Sequence, residues 1–127
     1  DIAFASVATT KMLAGAVVWL TETPGSNEAD SAMARWQPAG DDAEQYIIGW
    51  LDPKPAPAYK LSRVDPAGKI LEGPIDVTAK AHWGQRDDPF RTHVNGDIVW
   101  AWFEAANATT LKVARLRSDG MAQCAAF

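Results

Sequence analysis

The chain has 127 residues, 47% of them hydrophobic and 22% charged, and its 12 Lys and Arg against 16 Asp and Glu leave a net charge of −4. That is room for one domain with a single core, too apolar for a disordered segment, and too acidic for non-specific binding to nucleic acid or an anionic membrane. The single cysteine, Cys124, excludes an internal disulfide and a multi-cysteine metal site, and no apolar run reaches the ~20 residues of a membrane-spanning helix.

In chain order the sequence reads as ten strands, at 2–8, 15–21, 32–37, 45–51, 58–64, 69–78, 90–94, 97–104, 110–117 and 121–127. Val17-Val18-Trp19, Ile47-Ile48-Gly49-Trp50 and Ile98-Val99-Trp100 supply the β-branched and aromatic side chains that suit a pleated surface. Gln37-Pro38-Ala39-Gly40, Val64-Asp65-Pro66-Ala67-Gly68, Asn95-Gly96-Asp97 and Arg117-Ser118-Asp119-Gly120 read as tight reversals. Proline presets φ for a turn, and glycine accepts the positive φ that closes it. Helix formers gather only at 79–83 and 101–106, inside strand-like surroundings.

Three segments share a frame. Each has a strand ending in Trp (Trp19, Trp50, Trp100), a loop, a strand ending in Arg (Arg35, Arg63, Arg115), and a glycine five residues later (Gly40, Gly68, Gly120). The Trp-to-Arg spacing varies, as a surface loop between the two allows. Trp50 and Trp100 lie fifty residues apart with four strands in that interval. The expectation is therefore one all-β repeat domain: an N-terminal hairpin at 1–30, then four-stranded antiparallel units at 31–78 and 79–127. Segment 97–104 is apolar on both faces, as a sheet held between two neighbours must be.

The frame Gly96-Asp97-Ile98-Val99-Trp100-Ala101-Trp102, with Leu111-Lys112-Val113-Ala114-Arg115 and Asp65-Pro66-Ala67-Gly68-Lys69-Ile70-Leu71-Glu72-Gly73-Pro74, resembles the repeats of bacterial secreted β-propeller proteins. The resemblance implies propeller-like blades and an extracellular or periplasmic location. Two and a half blades do not close a ring, so it also implies partners, either other propeller-forming chains or further copies of this one. A ten-stranded sandwich or barrel with internal duplication is the alternative architecture.

The richest polar stretch, His82-Trp83-Gly84-Gln85-Arg86-Asp87-Asp88-Pro89-Phe90-Arg91-Thr92-His93, joins the two units. Trp83, Arg86, Asp87, Asp88 and His93 are the candidate ligand-binding residues, together with Trp36 and Trp102, which lie off the repeated Trp position. A carbohydrate suits them, since rings stack on indoles while Arg and Asp bond hydroxyls. The competing reading is a plain connection whose aspartates accept backbone N–H bonds. Two histidines eleven residues apart without a cysteine fit no zinc spacing, and the stretch lacks the alternating acidic positions of a calcium loop. No metal or other cofactor is implied. The repeated Trp19, Trp50 and Trp100 are expected in the core with their indole N–H groups on carbonyls, and the repeated arginines in structural pairs.

Catalysis has little support. Cys124 has no flanking histidine, no Gly-x-Ser-x-Gly elbow or phosphate-cradling loop occurs, and the adjacent pairs Asp41-Asp42 and Asp87-Asp88 would point to opposite faces of a strand. Cys124-Ala125-Ala126-Phe127 matches a prenylation pattern, but no polybasic stretch precedes it, and Asn107-Ala108-Thr109 matches a glycosylation sequon. The sequence thus reads as a non-catalytic binding module, with a structural subunit or segment of a larger propeller as the alternative.

Overall fold

A computed structural model describes residues 1–8, 13–36, 43–78, 89–105, 107–117 and 123–124. Among them every regular element is a strand: β1 (Ala3–Phe4), β2 (Val7–Ala8), β3 (Leu13–Ala14), β4 (Val18–Trp19), β5 (Ala29–Trp36), β6 (Gln45–Asp52), β7 (Ala58–Val64), β8 (Ile70–Thr78), β9 (Phe90–Thr92), β10 (Ile98–Phe103), β11 (Leu111–Leu116) and β12 (Gln123–Cys124). β5 to β8 form one four-stranded antiparallel meander and β9 to β12 a second, while β1 pairs with β4 and β2 with β3. No helix among these residues is long and apolar enough to cross a membrane.

The layers stack because alternation puts apolar side chains on both faces of the first sheet. One face, hereafter forward, presents Trp36, Ile47, Tyr59 and Leu61 to Phe90, Ile98, Trp100, Trp102, Ala114 and Leu116 of the second sheet in a single buried cluster. Tyr59 stacks on Trp100 with centroids 5.4 Å apart, and Trp100 on Trp102 at 4.0 Å. The opposite, back face carries Ile48, Trp50 and Val64 against Phe4, Ile2 and Leu20 of the N-terminal strands. The turn after β7 permits this approach. Gly68 has φ +84°, and a Cβ there would lie 3.0 Å from both Phe4 and Val18, so only glycine combines that turn with that contact.

Strand register reveals the internal repeat. Ile47 faces Arg63, Gly49 faces Leu61 and Trp50 faces Lys60, while Val99 faces Arg115, Ala101 faces Val113 and Trp102 faces Lys112. Corresponding residues of these strands are all fifty-two apart. Trp50 therefore matches Trp102, and Trp100 matches Ile48. The expected equivalence of Trp50 with Trp100 is two residues out of register, because β10 carries two tryptophans on one face.

The first of the three sequence frames also dissolves. β4 pairs with β1 and β5 with β6, so Trp19 and Arg35 do not share a hairpin. Arg35 lies on a first strand, opposite Tyr46, where the second sheet has Thr92 opposite Ile98. Trp19 is 58% exposed rather than in the core, because Phe4 and Leu20 are the side chains that the N-terminal strands turn inward. Gly40 and Gly120 lie outside the described residues.

Candidate functional site

Of Trp36, Trp83 and Trp102, which lie off the repeated tryptophan position, Trp36 and Trp102 are core residues. Trp36 is 0% exposed and Trp102 5%. Trp36 ends β5 on the forward face and is roofed by the Arg63 guanidinium, 5.4 Å from its ring centroid. Trp102 lies beneath the stack with Trp100. Neither offers a face to a ligand, because the second sheet covers one and the first sheet the other. Among the described residues the buried indole N–H groups of Trp36, Trp50, Trp100 and Trp102 have no acceptor, so the bonds to carbonyls expected of Trp50 and Trp100 are not seen there. His82, Trp83, Arg86, Asp87 and Asp88 lie outside the described residues, as do residues 125–127.

His93 is described and exposed, and it belongs to a polar cluster. It opens the β9–β10 hairpin, where its N–H donates to Asp97 O at 2.7 Å and Gly96 N–H donates back to His93 O at 2.9 Å. That turn brings three side chains into line. His93 Nδ1 and Asn95 Oδ1 are 2.9 Å apart, Asn95 Nδ2 donates to Asp97 Oδ2 at 2.9 Å, and Arg115 closes on the same carboxylate through Nε and Nη2. Arg115 comes from β11 opposite Val99, a diagonal step from Asp97 on one face of the sheet. The side chains border a cleft of about 260 Å³ floored by Val99.

Asn95 and Asp97 read from sequence only as a turn. The usable signal is that Asp97 precedes Val99 by two and so shares its face with Arg115.

This cleft is the second sheet's version of a place that the first sheet fills with apolar surface. Trp36, Gln45, Ile47 and Arg63 hold the positions of His93, Asp97, Val99 and Arg115. In the first sheet the β9–β12 sheet covers the spot. In the second sheet the same face is open, with Val99 38% and Leu111 50% exposed.

Arg63 lies 3.2 Å from Glu72, Arg35 3.3 Å from Glu44 on the exposed surface, and Arg115 closes on Asp97. Asp97 is buried and already bonded by Arg115 and Asn95, so it is poorly placed to take a proton from a substrate. Among the described residues no group of three or more His, Cys, Asp or Glu could hold a metal ion.

Compared with family models, curated proteins and solved structures, the chain matches none.

Proposed function

We propose that the chain is a non-catalytic interaction module of stacked repeat sheets, propeller-like in plan, whose last sheet is completed by a further sheet of the same kind. One observation carries this reading. The forward face of the first sheet is closed by the second, whereas on the equivalent face of the second the apolar stretch of Val99, Phe103, Leu111 and Val113, beside the Asp97–Arg115 pair, is uncovered among the described residues. Contiguous apolar surface of this kind marks an interaction face. A secreted setting, like the propeller plan itself, rests on the sequence resemblance.

Light scattering on the full chain tests the reading. A mass that is a multiple of 13.7 kDa, reduced to one chain by Leu111→Glu, is the expected result. A cooperatively folding species of single-chain mass at all concentrations overturns it.

A second reading, carbohydrate recognition, is favoured by the exposed His93–Asn95–Asp97–Arg115 cluster, which offers donors and acceptors around one cleft. Retention on a glycan array that Asn95→Ala abolishes would support it, and no retention by the assembled protein would remove it.

A further inference from the structure

We propose that the free edge of β1 and the back of β5 form an acceptor for one added strand, an extended segment of a partner chain that is uncharged and apolar at alternate positions.

The two faces of the first sheet are covered unequally. On the forward face β9 lies over β5, with Thr92 Oγ1 donating to Arg35 O at 2.7 Å and Phe90 fully buried. On the back face β1 and β4 cover Ile48, Trp50 and Val64 but stop short of β5, leaving Met33 53% exposed. Between β1 and β5 runs a groove of about 260 Å³, lined by Ile2, Phe4, Ser31, Met33 and Ile48 among others, with no charged side chain among the described lining residues.

Among the described residues one edge of β1 has no partner strand. Leu20 N–H donates to Ile2 O at 2.8 Å, and Phe4 faces Val18 in the ladder with β4. Antiparallel alternation then turns the N–H and C=O groups of Ala3 and Ala5 to the other edge. Among the described residues no strand pairs with that edge. The added strand continues an existing ladder, about 4.8 Å from β1, and lies on β5 from behind as β9 does from the front. Its backbone bonds Ala3 and Ala5, and its alternate side chains come down on Ser31 and Met33. A charge at those positions would lose its hydration with no counter-charge among the described lining residues. An antiparallel course fits, since every ladder among the described residues is antiparallel. This is binding by strand addition, in which backbone bonds give affinity and alternate side chains select.

The test titrates a capped hexapeptide of alternating Val and Thr into the full chain and follows backbone amides by NMR. Saturable shifts at Ala3 and Ala5 with slowed hydrogen exchange are expected. Met33→Glu, at an exposed position that leaves the fold intact, should weaken binding by about tenfold or more. Leu111→Glu, on the other open face, should leave it unchanged, so failure here is separable from failure of the stacking reading. Absence of saturable shifts at Ala3 and Ala5, undiminished binding by Met33→Glu, or equal binding of an alternating Glu and Thr peptide would each overturn the proposal.

Discussion

Ser62 and Ala114 occupy the same place in the two sheets, Ser62 opposite Ile48 and Ala114 opposite Trp100, and both are 0% exposed. The Ser62 hydroxyl has no partner there. Desolvating a hydroxyl without a bond costs about 1–3 kcal/mol on mutational scales, and Ala114 shows that a methyl group satisfies the position. Ser62→Ala is therefore expected to stabilise the fold by about 1 kcal/mol. Urea denaturation would show it as a raised midpoint at unchanged slope, and a lowered midpoint would contradict it.

Gly49 and Ala101 are a second matched pair, and here the neighbours differ. A Cβ on Gly49 would fall 2.6 Å from the Tyr59 hydroxyl and 2.8 Å from Leu61. Tyr59 cannot swing aside, because it stacks on Trp100 and donates to Asp30 O at 3.1 Å. Gly49→Ala should destabilise by about 1–3 kcal/mol through overpacking. Tyr59→Leu in the same chain should recover part of that loss, a non-additivity that a double-mutant cycle reads directly.

Asp52 sits in the back face near the start of the β6–β7 loop. Burial alone would raise its pKa. The Lys54 N–H at 3.1 Å, the Ser26 hydroxyl at 3.1 Å and the Lys60 ammonium at 3.4 Å outweigh burial and hold the carboxyl below its ordinary 3.8. A depressed folded-state pKa means the unfolded chain binds protons first as pH falls. The contribution is thus complete above about pH 4 and is lost as pH drops through the folded-state value. Asp52→Asn should cost stability at pH 7, by about 1–3 kcal/mol for bonds to a charged group. The difference from wild type should shrink below pH 4, and a difference constant with pH would refute the assignment.

The pair Asp52–Lys60 recurs as Glu104–Lys112, at 4.0 Å and with side chains 59% and 37% exposed. Solvent screens the second pair. Its coupling energy should be under about 0.5 kcal/mol and vanish in high salt, while that of Asp52–Lys60 should exceed it and persist. Double-mutant cycles at low and high salt separate the two.

Strands and turns were legible from sequence because their signals are local. β-branched and aromatic residues placed β6, β7, β10 and β11, and Asp65 to Gly68 closes the turn that Pro66 and Gly68 announced, with the Asp65 carboxylate accepting from Ala67 and Lys69 N–H. The repeat of the last two units was legible as well, with Arg63 and Arg115 at the right spacing, but the tryptophans gave a different register. Trp100 and Trp102 are two apart and share a face, so tryptophan spacing alone could not say which one matches Trp50. The polar pairs at the strand ends, Asp52 with Lys60 and Glu104 with Lys112, carried the register that the aromatic residues hid. Burial of Trp36 and Trp102 depends on one sheet lying over another, and no periodicity within a strand reports what covers it. The His93–Asp97–Arg115 cluster escaped for a similar reason, since Arg115 reaches Asp97 from the neighbouring strand.

The second sheet lays its back face on the forward face of the first, so the contact between them has polarity. A contact of this kind is not relieved by a two-fold axis, and a further sheet laid on in the same sense would meet Val99 and Leu111 of the second sheet. Such a series ends as a ring when the rotation per step divides a full turn, and runs on as a filament when it does not. The rotation is set where the sheets touch, above all at Tyr59 against Trp100. A substitution there that tilts the stack by a few degrees would leave each sheet intact and change the angle between the two.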